Sequence, residues 1–465
     1  MSSTADHGGD GAATAADYGL LSPQWVGTAL SRLTSDAAFL DAIFDVEVAL
    51  VHSYETLGIA PAGVSVIVRS VVDSTAFDLP DIALRARDGG NPVIPLVKDL
   101  RAAVTTANTE AAFWVHRGAT SQDVLDTAIM FVAQRAVRQI LADAEAAIRS
   151  LSGLADGNRR TIMVARTLTQ HGVPTTFGLK AAGWLGAVSQ ATRRLAAVQL
   201  PVQWGGAGGT QASFVALGGT GTGVRLTDEI ATNLGLATST SPWQTQRAPI
   251  TRLGDALTTL SDAFGTVASD VLVMARPEIA ELSEPSRAGR GGSSSMPQKQ
   301  NPILSVLAMS AARKAPALAA ELHRSAGAAV DERPDGAWHV EWQTLRELLR
   351  LVGGAAALIA ELTAGLVVHQ GAMMRNLKLS GPLVVAERIM LEFASLVGAA
   401  RIQEIIAARA ADQTFDLTAA LRAEPALAEI SAAHLAEVLY PVAYLGDADL
   451  LIDRALAAAA GEVQS

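Results

Sequence analysis

The sequence predicts an all-α protein with a central bundle of long helices. Three observations point there. Alanine, the strongest helix former, dominates an apolar fraction of 49%, while aromatic residues make up only 5%. Small apolar side chains suit closely packed helices better than the β-branched, aromatic face of a sheet. Leu253, Leu257, Leu260, Phe264, Val267, Val271 and Met274 are separated by alternating gaps of four and three, which is an a/d seam held over three heptads. No segment alternates apolar and polar residues for long enough to build a sheet of consequence.

Residues 1–17, rich in Ser, Ala, Gly and Asp, read as a disordered leader. Long periodic segments begin near 110 and end near 370. They suggest an N-terminal helical domain over 18–110, a central long-helix bundle over 111–370 and a small C-terminal helical domain over 371–465. Within the bundle, a helix over 126–153 carries Val137, Ile140, Ala144, Ile148 and Leu151 on one stripe. Others are expected over 178–198, 303–323 and 342–372. Pro174 precedes one helix, and Pro249 sits in the first turn of another, where its missing N–H costs nothing. Pro201 to Gly223 holds eight glycines and is expected as a structured loop. Glu281 to Pro302 concentrates Ser, Gly and Pro and reads as a second, functional loop.

The formal net charge of −10 argues against nucleic acid as a partner, which would require a basic stripe. A local Arg/Lys pocket can still bind an anionic substrate. There are no cysteines, which removes disulfides, thiolate catalysis and Cys-ligated metals. No apolar stretch is flanked as a membrane span and no basic n-region opens the chain. No membrane partner is therefore expected, and a cytoplasmic location follows.

Three segments carry chemistry. In Gly292-Ser293-Ser294-Ser295-Met296-Pro297-Gln298-Lys299-Gln300-Asn301-Pro302, glycines and serines expose backbone N–H groups beside one lysine. Such a loop can bind carboxylate oxygens, although its composition also fits a plain Gly/Ser linker. In His116-Arg117-Gly118-Ala119-Thr120-Ser121-Gln122-Asp123, a helix starting near Asp123 would aim its N–H groups at Thr120 and Ser121, forming an anion site. The third runs from Arg166 to Gly178 and contains Thr167, Thr169, Gln170, His171 and Thr175, whose threonines also fit plain turn or cap positions. Arg333 in Asp331-Glu332-Arg333-Pro334-Asp335 is a candidate carboxylate clamp or a surface ion pair with Glu332 or Asp335. Trp338 and Trp342, four apart, share a helix face and read as core packing.

The glycine-serine loop matches every fixed position of G-S-S-x-x-P-x-K-x-N, the signature of the fumarase/aspartase superfamily of lyases, and the chain resembles that family over nearly its whole length. The other two segments resemble its first and second regions. Gly19-Leu20-Leu21-Ser22-Pro23, the run from Gly90 through Asn91 to Val97, and Asp331 to Trp342 resemble the 3-carboxy-cis,cis-muconate cycloisomerase branch. The resemblance implies a three-domain fold with a tetrameric helical core and active sites shared between chains. It implies Ser293 as general base and His171 as general acid, with His116 as the other candidate acid. His116, Thr120, Ser121, Gln170, Asn91, Arg247, Lys299, Asn301 and Arg333 are then expected to bind a small di- or tricarboxylate, without a metal or organic cofactor.

The branch pattern is not fully kept. M-P-H-K-R-N-P is replaced by a run with Gln298 and Gln300, and W-H-T-x-R by Trp243-Gln244-Thr245-Gln246-Arg247. Neutral amides thus stand where two imidazoles and a guanidinium are usual. The implied reaction is proton abstraction next to a carboxylate followed by β-elimination, or its reverse. Two versions stay open: interconversion of a carboxymuconate with its lactone, and elimination from a substituted succinate, such as nitrosuccinate, to fumarate. A helical-bundle protein without catalysis is the third reading.

Overall fold

A computed structural model describes residues 18–292, 295, 296 and 298–461. The leader expected over 1–17 and the expected base Ser293 lie outside the described residues. The helices used below are α1 (Asp36–Thr56), α2 (Val93–Ala107), α3 (Ser121–Gly157), α4 (Phe177–Ala196), α5 (Thr222–Leu234), α6 (Ala248–Met274), α7 (Ile303–Gly327), α8 (Gly336–Ala364), α9 (Gln370–Leu379) and α10 (Ala399–Ala411). The expected long helices are all present. Every residue of the a/d seam on α6 is buried, from Leu253 at 0% exposure to Met274 at 2%.

Three sequence expectations need correction. The helix expected over 342–372 is α8. It starts just after Pro334-Asp335 and stops at Ala364, and the next residue, Gly365, passes so close to Pro285 that a Cβ there would stand 2.5 Å from Pro285 Cβ. The loop expected over 201–223 contains a short helix, Ala212–Gly218. An antiparallel hairpin was not expected at all. Strand β1 (Ile162–Thr167) pairs with β2 (Gln170–Thr176), with Arg166 opposite His171 and an irregularity between Val164 and Arg166.

The chain forms two compact units. One comprises residues up to Leu141, Leu195–Ser261 and Ser310–Ala357; the other comprises Ala142–Arg194, Asp262–Met309 and residues from Leu358 onward. In the first, α1 opens at Ser35, whose hydroxyl accepts from Ala38 N at 3.1 Å, and packs against α5. Among the described residues, α7 is apolar and long enough to cross a membrane by composition. It carries Arg313 and Lys314 at its middle, however, and Lys314 pairs with Glu347 of α8. In the second unit, Ile162 and Val164 of β1 join Leu377 of α9, Val385, Phe393 and Ile405 in one buried cluster. That cluster anchors the hairpin.

Candidate active-site residues

In the first unit the expected anion site lies at the start of α3. Thr120 and Ser121 are half-buried there. Asp123, fully buried, accepts from Thr120 N (3.1 Å), Gly205 N (2.8 Å), Gly206 N (2.9 Å) and Gln203 Nε2 (3.2 Å). A carboxylate in the first turn suits the positive end of the helix. It also ties the glycine-rich loop to the segment carrying Thr120. Arg333 is exposed and donates from Nη2 to Thr120 Oγ1. Among the described residues it makes no ion pair with Glu332 or Asp335, so it stands beside the anion site. Asn91 is nearly buried and accepts from Val93 N through Oδ1 at 3.1 Å. The neighbouring Gly90 carbonyl accepts from His339 Nε2 at 2.8 Å.

His116 has a left-handed backbone, φ 55°, an uncommon conformation that local interactions must hold. Glu47 of α1 does so. Its buried carboxylate accepts the His116 backbone N–H at 2.9 Å and lies 2.6 Å from Nδ1. Burial pulls the imidazole pKa down, but the Glu47 charge and hydrogen bond outweigh it and leave the pKa raised. The fixed Nδ1–H leaves Nε2 to face a ligand. Nothing around Val46-Glu47-Val48 in the sequence pointed to this role.

Glu47→Gln tests the pair. The limb of kcat/KM against pH that belongs to His116 should move to lower pH. A raised folded-state pKa contributes stability that is complete below the unfolded value, about 6.5, and is lost as pH rises through the folded value. The melting-temperature gap between wild type and variant should therefore shrink with rising pH. A gap constant from pH 5 to 9 would show that Glu47 merely packs.

Arg247 was expected to touch substrate; the structure gives it another place. It is 2% exposed, and all of its guanidinium nitrogens have partners. It forms ion pairs with Asp126 at 2.7 Å and Glu341 at 2.5 Å. Asp126 also accepts from Trp338 Nε1 at 2.8 Å, and the Trp338 and Trp342 rings meet edge to face at 4.8 Å. The triad ties α3 and α8 to Arg247, the residue just before α6. Gln244, on the same segment as Arg247, is 4% exposed and donates to Gly206 O at 2.9 Å.

In the second unit the hairpin presents Gln170, exposed, and His171, half-buried. His171 Nδ1 is 2.9 Å from Ser380 Oγ. Its pKa is lowered, first by burial and then by the positive charge of Arg166, with Glu281 opposing. Arg166 itself is held by Glu281 in a two-pronged pair at 2.7 and 2.9 Å. The loop carrying Lys299 and Asn301 is pinched at its base. Asn301 donates to Gly291 O from its backbone (2.8 Å) and from Nδ2 (3.0 Å). Gly291, at φ 71°, cannot take a side chain, because a Cβ would stand 2.6 Å from Asn301 O. Glu284 caps α7 by accepting from Leu304 N (3.0 Å) and Ser305 N (2.7 Å). A cavity of about 800 Å³ beside this stem is lined by Glu284, Arg287, Arg290, Gln300 and Asn301 among others. Lys299 is exposed. The expected residues thus fall into two sets, one in each unit.

A lyase family model matches residues 90–316. The chain is 44% identical over 453 residues to a nitrosuccinate lyase of Streptomyces davaonensis, covering 96% of this chain and 95% of that one. It is 37% identical over 444 residues to a 3-carboxy-cis,cis-muconate cycloisomerase of Bradyrhizobium diazoefficiens, covering 94% and 97%. Among solved structures, the 3-carboxy-cis,cis-muconate lactonizing enzyme of Pseudomonas putida matches with a TM-score of 0.85 at 30% identity, over 93% of this chain and 97% of that one. A fumarate lyase of Mesorhizobium sp. BNC1 matches with a TM-score of 0.82 at 28% identity, over 92% and 97%. By sequence over nearly its full length, and by its helical fold, this chain belongs to the fumarase/aspartase superfamily of lyases.

Proposed function

We propose that the chain eliminates nitrite from nitrosuccinate to give fumarate. The observation that carries this reading is the 44% identity to a nitrosuccinate lyase over 96% of the chain. The amides support it. Gln244 sits behind the anion site as a neutral group, its Nε2 occupied by Gly206 O, and Gln298 and Gln300 flank Lys299. A site with less positive charge suits a substrate with two carboxylates better than one with three.

In the proposed reaction Ser293 takes a proton from the methylene next to one carboxylate. The C–H electron pair becomes the C=C bond, and nitrite leaves with the C–N electrons. Charge building on the carboxylate oxygens needs donors aimed at them, and Lys299, Asn301, Thr120 and Ser121 are assigned to that task. The two histidines are pushed apart in pKa, which separates their roles. His116, whose protonated form the Glu47 carboxylate favours, anchors a carboxylate. His171, neutral at pH 7, lies beside the leaving group, and nitrite departs without needing a proton. The two sets of residues are completed by neighbouring copies in a homotetramer. A cytoplasmic setting belongs to the same proposal.

The second reading, interconversion of carboxymuconate and its lactone, is favoured by the 37% identity to a cycloisomerase. The assay that separates them offers each substrate to purified protein. Fumarate appearance with equimolar nitrite is expected. Loss of muconate absorbance without nitrite release would transfer the assignment to the second reaction.

A further inference from the structure

A cavity of about 280 Å³ in the second unit is lined by His171, Ser380, Leu383, Val384, Arg409 and Gln413, among others. That is just below the usual range of ligand pockets, roughly 300–1,000 Å³, and leaves room for no more than a small acid of about C4 size. Leu383 and Val384 supply an apolar wall; His171, Ser380, Gln413 and Arg409 supply polar groups. Arg409, near the end of α10, is half-buried. It donates from Nη1 to Asp412 O at 3.2 Å and, among the described residues, has no carboxylate oxygen within 4 Å, although its charge helps lower the pKa of Asp412. Its guanidinium lies over Gly381, which has φ +53° and where a Cβ would stand 3.2 Å from Nη2. Arg166, the other cation near His171, is already bound to Glu281 through two nitrogens.

The geometry points to this cavity as the seat of the substrate carboxylate carried by the same carbon as the leaving group, with Arg409 as its clamp. The inference rests on the elimination reading above. A substituted succinate has two carboxylates. The one next to the deprotonated carbon is assigned to Lys299 and Asn301 and, through the neighbouring copies of the proposed tetramer, to the start of α3 with His116. The other needs a cation of its own. Positions 298 and 300 are neutral amides, and Arg247 is sealed between Asp126 and Glu341. Arg409 can offer a planar fork, which matches a carboxylate. With that group seated, the adjacent carbon lies at the His171 wall, where the leaving group departs.

Arg409→Gln and Arg409→Lys test the clamp. Loss of charge-assisted hydrogen bonds should raise KM for nitrosuccinate about 10- to 100-fold in the Gln variant, with Lys in between. The inhibition constant of succinate should rise in parallel, while kcat stays within about threefold, the signature of lost ground-state binding. An unchanged KM and succinate constant in a variant that melts like wild type overturns the inference, as does a fall in kcat alone. Should Arg409→Gln not fold, Arg409→Lys and Gln413→Ala carry the same comparison. If wild type processes no succinyl acid, the function reading falls separately. Succinate calorimetry then decides the clamp: weaker binding by Arg409→Gln supports it, and equal binding overturns it.

Discussion

Ser293→Ala should lower kcat on nitrosuccinate by on the order of 10²- to 10⁴-fold, the usual contribution of a positioned general base. Succinate should bind as before. A serine hydroxyl is a weak base unless its alkoxide is stabilised, so the surrounding loop has to supply that stabilisation. The stem of the loop is built for a defined position: Gly291 and Asn301 lock together through two hydrogen bonds to one carbonyl, and Glu284 fixes the start of α7 next to them. Removing the hydroxyl should therefore leave the stem intact and take away the proton acceptor. Turnover within tenfold of wild type would sink the assignment of Ser293. Loss of succinate binding would mean that the variant had disturbed the loop rather than the chemistry.

The largest effect on stability is expected at the Asp126–Arg247–Glu341 triad. Arg247→Gln should destabilise the protein by about 3–5 kcal/mol, because removing one partner leaves buried carboxylates uncompensated. A large drop in denaturation midpoint would report it. Replacing all three residues together by apolar ones of similar size (Asp126→Leu, Arg247→Met, Glu341→Leu) should cost much less, since desolvating a buried ionic group offsets most of its attraction. Glu341 already shows the strain of the site: burial raises its pKa despite the hydrogen bond and charge of Arg247. If the triple variant proves as unstable as Arg247→Gln, the triad is needed for its wiring to Trp338 and Gln122 rather than for charge balance.

The helices were legible because burial imposes the 3.6-residue period directly on the apolar residues, as on α6. The hairpin was not. β1 is buried at three successive residues and exposed only at its end, so it does not alternate. β2 contains Gly172 and Pro174, both poor strand residues. Its turn residues, Leu168 and Thr169, take φ 48° and 72°, where Asn-Gly is the usual signal. Glu47 was invisible for a different reason. A single acid on an apolar helix face acquires meaning only through His116, 69 residues away. Arg247 was misread as a ligand group because the motif shows which residue is present but not which carboxylates surround it. Arg409 carried no local pattern; only the fold sets it beside His171.

The hairpin turn also bears on how the second unit acquires its structure. Two left-handed non-glycine residues cost on the order of 1–3 kcal/mol each, and an isolated pair of strands is marginal in water. The turn therefore cannot nucleate its own strands. The strands are held where Ile162 and Val164 pack with Leu377, Val385 and their neighbours, so the place of His171 depends on the C-terminal segment. A chain cut before α9 would keep helix-forming sequence in abundance and still leave its second histidine without a fixed address.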